Sequence, residues 1–270
     1  MKKNFIGFNT KANCGIEKKS DVIQKTTLQQ PRKSVVHVFF PSRGMGWSYY
    51  NDSFDLKVGD QVYVEGKLEG KIGRVTEVNY SFKIKLSDYK KVVAVVDTEV
   101  NGDFYLSGYQ YITFDRNAIP FEKVLPWFKA PEDNEEFECG DDDSNLFSVD
   151  DLSGMYIDSN GVKHGLCAIG NVSYICIDGN QGRAIVDDGD ICEIEFCYSD
   201  GEISDIKCSC YCSGICGHEF AAMLELKEIL ELIAEKYKEE YNGYFAAISK
   251  NVFINTVMHR KETGKISLEG

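Results

Sequence analysis

Four cysteines and a histidine fall within the eleven residues from Cys208 to His218, which read C-S-C-Y-C-S-G-I-C-G-H. Thiolate and imidazole are the donors of tetrahedral zinc, and a structural zinc site takes all four of them from protein. Cys208, Cys210, Cys216 and His218 supply that number as two pairs, C-x-C and C-x-H. In an extended segment residues i and i+2 share a face, so the first pair aims both thiolates one way. The second pair opens an apolar-periodic run, and the amides at a helix start favour thiolate charge. Cys212 reads as a loop thiol, because using it as a ligand breaks the paired geometry. Two other uses of cysteine fit less well. Disulfides need an oxidising compartment, and the sequence shows no export signal. A redox C-x-x-C is absent, since the spacings are C-x-C, C-x-C and C-x-x-x-C. The expected cofactor is one structural zinc ion.

The flanking elements have to hold these donors. Ile191 to Cys197 and Glu202 to Cys208 read as two strands joined through Ser199-Asp200-Gly201, and Asp-Gly between alternating runs is a hairpin signal. From Glu219 to Tyr237, apolar residues recur at Phe220, Met223, Leu226, Leu230, Ile233 and Tyr237. Steps of three and four mark an amphipathic helix. Hairpin, C-x-C, short loop, C-x-H and helix together resemble the SWIM zinc finger over residues 191–237. The resemblance implies a ββα module that recognises DNA or protein, of the kind found in SWI/SNF-type helicases and transposases. The catalytic machinery of those enzymes has no counterpart here. No G-x-x-x-x-G-K-[ST] occurs, and that motif is what cradles a nucleotide's phosphates.

Charge divides the chain. The net charge is −13, yet residues 1–34 hold eight Lys and Arg against two acids. Residues 35–130 balance at twelve and twelve, residues 131–151 carry ten acids and no base, and residues 152–270 carry nineteen acids against ten bases. The expected organisation is a basic flexible tail (1–34), a small β-barrel domain (35–130), an acidic linker (131–151) and a zinc-finger domain (152–270). The fold class is α+β.

The barrel expectation rests on short β-branched and aromatic runs at 35–40, 47–50, 61–65, 73–79, 81–86 and 91–96. The text from Asp55 to Val78 resembles the opening strands of SH3-like barrels, including KOW-type domains. Further hairpin-like sequence at 101–119 and the segment Pro120 to Trp127 complete that domain. Lys67, Lys71, Arg74, Lys83 and Lys85, with Trp47 among the preceding aromatics, form a candidate nucleic-acid surface, because bases stack on aromatic rings while cations track the phosphates. A plain aromatic core with solvated lysines explains the same residues.

In the C-terminal half, strands are expected at 155–158, 166–170, 173–178 and 183–186, with Asn160-Gly161 and Asp178-Gly179-Asn180 as turns. Cys167, Cys176, Cys192 and Cys197 read as small hydrophobes within strands. A second amphipathic helix is expected from Tyr241 to His259, packing on the first.

No run of 18 apolar residues suggests a membrane span, so the expected location is cytoplasmic. Four closed zinc ligands leave no open catalytic position. The sequence thus points to a non-enzymatic binding or adaptor protein associated with nucleic acid. Two alternatives stand beside it: a protein-interaction module docking a basic partner, and an enzyme with a cleft between its domains. No small-molecule substrate is evident.

Overall fold

The computed structural model describes residues 31–83, 85, 88–100, 104–107, 111–114, 120–131, 146–210, 212, 214–236, 244–257 and 268–269. Most of the basic tail, residues 132–145 of the acidic linker and His259 lie outside them. The chain is a mixture of helix and sheet with two largely antiparallel sheets, one in each of two compact units.

The first unit contains β1 (Ser34–Phe40), β2 (Met45–Asn51), β3 (Gln61–Val64), β4 (Gly73–Asn79) and β5 (Val92–Val96) in the order β2-β1-β4-β3-β5. The alternation of β1 places Val36, Val38 and Phe40 on one fully buried face, where they meet Val62, Val64 and Val75. The sheet curls until Tyr50 bridges Lys91, the Tyr50 N–H donating to Lys90 O at 2.9 Å. Buried Asn51 ties the end of β2 down, its Nδ2 donating to Ser34 Oγ at 3.0 Å and to Phe54 O at 2.7 Å. The strand expected at 81–86 does not form at described residues 81–83 or 85.

The boundary between units falls after Thr98, not after residue 130. β6 (Phe104–Ser107) and β7 (Tyr111–Phe114) join the second sheet, because β7 finds its partner in a strand far along the chain. Then follow α1 (Phe121–Val124), β8 (Phe147–Ser148), α2 (Ser159–Ala168), β9 (Val172–Asp178), β10 (Gln181–Asp187), β11 (Ile191–Ser199), β12 (Glu202–Cys208), α3 (Gly217–Lys236), β13 (Tyr244–Ser249), α4 (Lys250–Val257) and β14 (Leu268–Glu269). The sheet order is β14-β6-β7-β13-β9-β10-β11-β12-β8. β8 lies inside the stretch expected to be linker and pairs with β12.

The long helix α3 covers this sheet. Its Ala221, Ala222, Met223, Leu226, Ile229 and Ile233 are buried in one core with Ile175, Ile177, Ala184, Val186, Ile194 and Phe196 of the strands. β9 is covered on its other face too, where Phe121 of α1 lies 5.9 Å from Tyr174. A strand covered on both sides reads as a continuous apolar run.

Two sequence expectations fail here for definite reasons. No strand forms at 155–158, which lead into α2, and the strand expected at 166–170 is replaced by the end of α2 and a 3-10 turn. Asp158 caps α2, accepting from Gly161 N at 2.6 Å, so Asn160-Gly161 is a first helical turn and not a hairpin. The helix expected from Tyr241 to His259 is β13 followed by the shorter α4. Phe245 to Ile248 are all buried in mid-sheet, and a short apolar run of this kind has no period that separates strand from helix.

Candidate metal centre

The site begins with a bulge. Down to Cys197↔Ser204 the β11–β12 hairpin keeps one register, and it shifts by a residue before Glu195↔Lys207. Asp205 sits at the irregularity with φ +51, a left-handed conformation that Asp tolerates better than most residues. Cys192, Ile194, Phe196 and Tyr198 form the buried face of β11. Without the extra residue, Cys208 would point away from it. With the extra residue, Ile206 and Cys208 face inward, and Cys208 pairs with Ile194. Bulges often re-aim a side chain in this way.

Cys216 occupies the N-cap of α3. Its N–H donates to Glu219 Oε2 at 2.6 Å, the return half of a capping box, and Phe220 N donates to Cys216 O at 3.1 Å. One turn of helix thus fixes the Cys216 thiol and the His218 ring together.

The four donors meet. Ligand atoms of Cys208, Cys210, Cys216 and His218 all lie within 4.8 Å of one another. His218 Nδ1 is 3.9 Å from Cys208 Sγ and 3.7 Å from Cys216 Sγ. Tetrahedral zinc bonds of about 2.3 Å to sulfur and 2.0–2.1 Å to nitrogen set donor–donor edges of roughly 3.5–3.8 Å. The spacing therefore suits closure on one ion after small side-chain shifts. Cys212 is exposed and outside the group.

Protons are shared unevenly among these groups. A hydrogen bond from Cys208 lowers the Cys216 thiol to about 3 against the opposing effect of burial, helped by His218 and the Glu219 amide. Hydrogen bonds from Cys208 and His218 lower Cys192 to about 5. Cys208, as donor to Cys192 and Cys216, is pushed up, and hydrogen bonds with Cys192 and Cys216 raise His218 to about 11. The Cys216 thiolate is a ready metal ligand, whereas Cys208 and His218 would release protons on binding an ion.

Several participants escaped the sequence reading. Cys192 is no mere core filler, because its Sγ lies 3.9 Å from His218 Nε2. The Asp188 carboxylate lies on the same outer side of the ring, its Oδ2 being 3.9 Å from His218 Nε2. Asp188 is held in turn by His164 Nε2 at 3.1 Å and Asn171 Nδ2 at 2.9 Å. His164, Asp188 and His218 form a second group able to hold a metal, sharing His218 with the first. The His164 and His218 rings meet edge to face at 5.0 Å. The parity of the hairpin could have revealed Cys192, but nothing in local spacing marks Asp188 or His164.

Two glycines allow α2 to come this close. A Cβ on Gly165 would sit 2.7 Å from Phe220 Cδ1 and 2.8 Å from Gly217 O, and one on Gly217 would strike the His164 ring. The start of α3, with its two candidate ligands, is therefore roofed by α2.

In the first unit, Trp47 and Lys67 line a groove of about 1040 Å³. Lys71, Lys83 and Lys85 are exposed outside its lining. Arg74 pairs with Phe39 and Gln61, on the face of β4 opposite to Val75. Among the described residues no helix is long and apolar enough to cross a membrane. No protein-family model, no curated protein and no solved structure matches the chain.

Proposed function

We propose that Cys208, Cys210, Cys216 and His218 hold one structural zinc ion, and that the chain is a non-enzymatic binding protein of SWIM type associated with nucleic acid. The observation that carries the reading is the convergence of three thiols and one imidazole within 4.8 Å, between the end of a hairpin and the start of a helix. The ββα order of β11, β12 and α3 supports the SWIM-type reading. Zinc is the natural ion for a sulfur-rich tetrahedral set, and a shell closed by four protein ligands serves folding rather than catalysis. Bound there, the ion would tie β12 to the N-terminus of α3 and neutralise thiolate charge.

Nucleic-acid association is supported by the distribution of charge. Residues 1–130 carry +6 and residues 131–270 carry −19, so phosphate contact belongs to the N-terminal part. The excess acid of the zinc half favours a second reading, in which that half docks a basic protein partner.

Chelation followed by calorimetry tests the structural role. A structural zinc contributes about 10–16 kcal/mol of apparent binding energy, which appears as folding energy. The second unit should lose its transition on metal removal while the first keeps its own. Two unchanged transitions after complete metal removal would refute a structural ion.

A further inference from the structure

The groove of the first unit is walled by β2, by the turn after β3 and by the residues leading into β5. Its rings are Trp47, Tyr49 and Tyr89. Tyr49 is buried and packs edge-on to Phe40 at 6.0 Å, making a fixed floor. Trp47 leans on Phe40 at 5.9 Å but stays 38% exposed, so part of its surface is open to a ligand.

Charge then selects the ligand. Arg43, Lys67 and Lys90 also line the groove and are exposed. Among the described residues none of the three pairs with a carboxylate. Two acids share the lining, so three cations against two carboxylates leave it at +1; Glu65 Oε2 accepts from the Lys91 N–H at 3.3 Å, and Asp88 has a partner of its own. Free cations around aromatic rings suit a ligand with repeated anionic groups and flat faces. The volume sits at the upper end of the roughly 300–1,000 Å³ of single small-molecule sites, which favours an extended ligand over a compact one.

We propose that this groove binds single-stranded nucleic acid, with a base stacked on Trp47 and phosphates held by Arg43, Lys67 and Lys90. The proposal rests on the nucleic-acid reading above and locates it. A strand in a duplex keeps its bases stacked on each other and cannot offer one to Trp47, so single strands are the form taken.

The test uses the full chain and fluorescein-labelled oligo-deoxythymidine, read by anisotropy at two salt concentrations and by tryptophan emission. Of the two tryptophans, Trp127 is 5% exposed, so quenching on binding reports Trp47. Trp47→Ala should weaken binding by roughly 5- to 160-fold, the range of one base–aromatic stack. Trp47→Phe should retain binding and lose the quenching. Lys67→Gln should flatten the log–log salt slope by about 0.7, while Lys83→Gln, outside the lining, leaves it unchanged. Wild-type binding that Trp47→Ala and Lys67→Gln both leave intact would move the site elsewhere and spare the nucleic-acid reading. Absence of any wild-type binding would overturn both. Preference for poly-glutamate or for duplex DNA over the single strand would overturn the assigned ligand.

Discussion

The candidate metal centre and the groove are assembled in opposite ways. The centre draws its four donors from the eleven residues between Cys208 and His218. The groove gathers rings and cations from three separate segments between Arg43 and Lys90. Donors that must meet at bonding distance within one turn-and-cap leave a spacing in the text. Groups that meet only because strands pair leave none. The difference also runs through the metal centre, whose outer side is built from Asp188, His164, Asn171 and Cys192, all upstream of the motif.

Asp188→Asn breaks the comparison most sharply, since it asks whether a residue outside the motif belongs to the site. With Nδ1 turned to the sulfurs, Nε2 faces both Cys192 Sγ and Asp188 Oδ2 at 3.9 Å, and donates to Asp188 once the ring settles. A carboxylate behind a ligating histidine fixes its tautomer, and its loss costs about 10–100-fold in metal affinity. Competition with a chromophoric chelator should show that loss, with one ion still bound at saturation. An unchanged affinity would confine the centre to its local motif. Gly165→Ala attacks the roof. The added Cβ meets the Phe220 ring and the Gly217 carbonyl, and overpacking of this kind costs about 1–3 kcal/mol. Thermal unfolding of the metal-loaded chain should show the second unit, and not the first, destabilised.

A smaller effect lies in the scaffold under the centre. Burial, with repulsion from Glu228, raises the Glu225 carboxyl from 4.5 to about 7. A raised carboxyl binds its proton more tightly folded than unfolded. The stability it contributes is therefore full below pH 4.5 and is lost as the pH rises through about 7. Glu225→Gln should make the second unit more stable than wild type at pH 8, on the order of 1 kcal/mol. The difference should vanish in acid. Denaturant melts at fixed metal occupancy measure it, and an equal difference at both pH values would assign the effect to packing.

The legibility of the chain follows the same division. The β11–β12 hairpin, its Asp200-Gly201 turn and the helix over the core were readable, because parity and period are local properties. The bulge at Asp205 was not, although it decides which way Cys208 points. The helix α2 hid behind Asn160-Gly161, which reads as a turn until Asp158 is seen to cap it. The central strand β13 hid because burial on all sides removes alternation. In the first unit the basic residues were visible as a group, but strand pairing divides them. Trp47 and Lys67 enter the groove, and Arg74 goes to another face. Lys90 belongs to the same basic run, whereas Arg43 and Tyr89, which complete the groove, lie outside any motif.

The central claim is that one ion is held by Cys208, Cys210, Cys216 and His218. Native mass spectrometry with elemental analysis, on protein purified under reducing conditions, tests it most directly. One zinc per chain is expected in the wild type and in Cys212→Ser, and its loss in Cys208→Ser and Cys216→Ser. Zinc retained by Cys208→Ser but lost from Cys212→Ser, or a wild-type chain that binds no zinc when it is supplied, would contradict it.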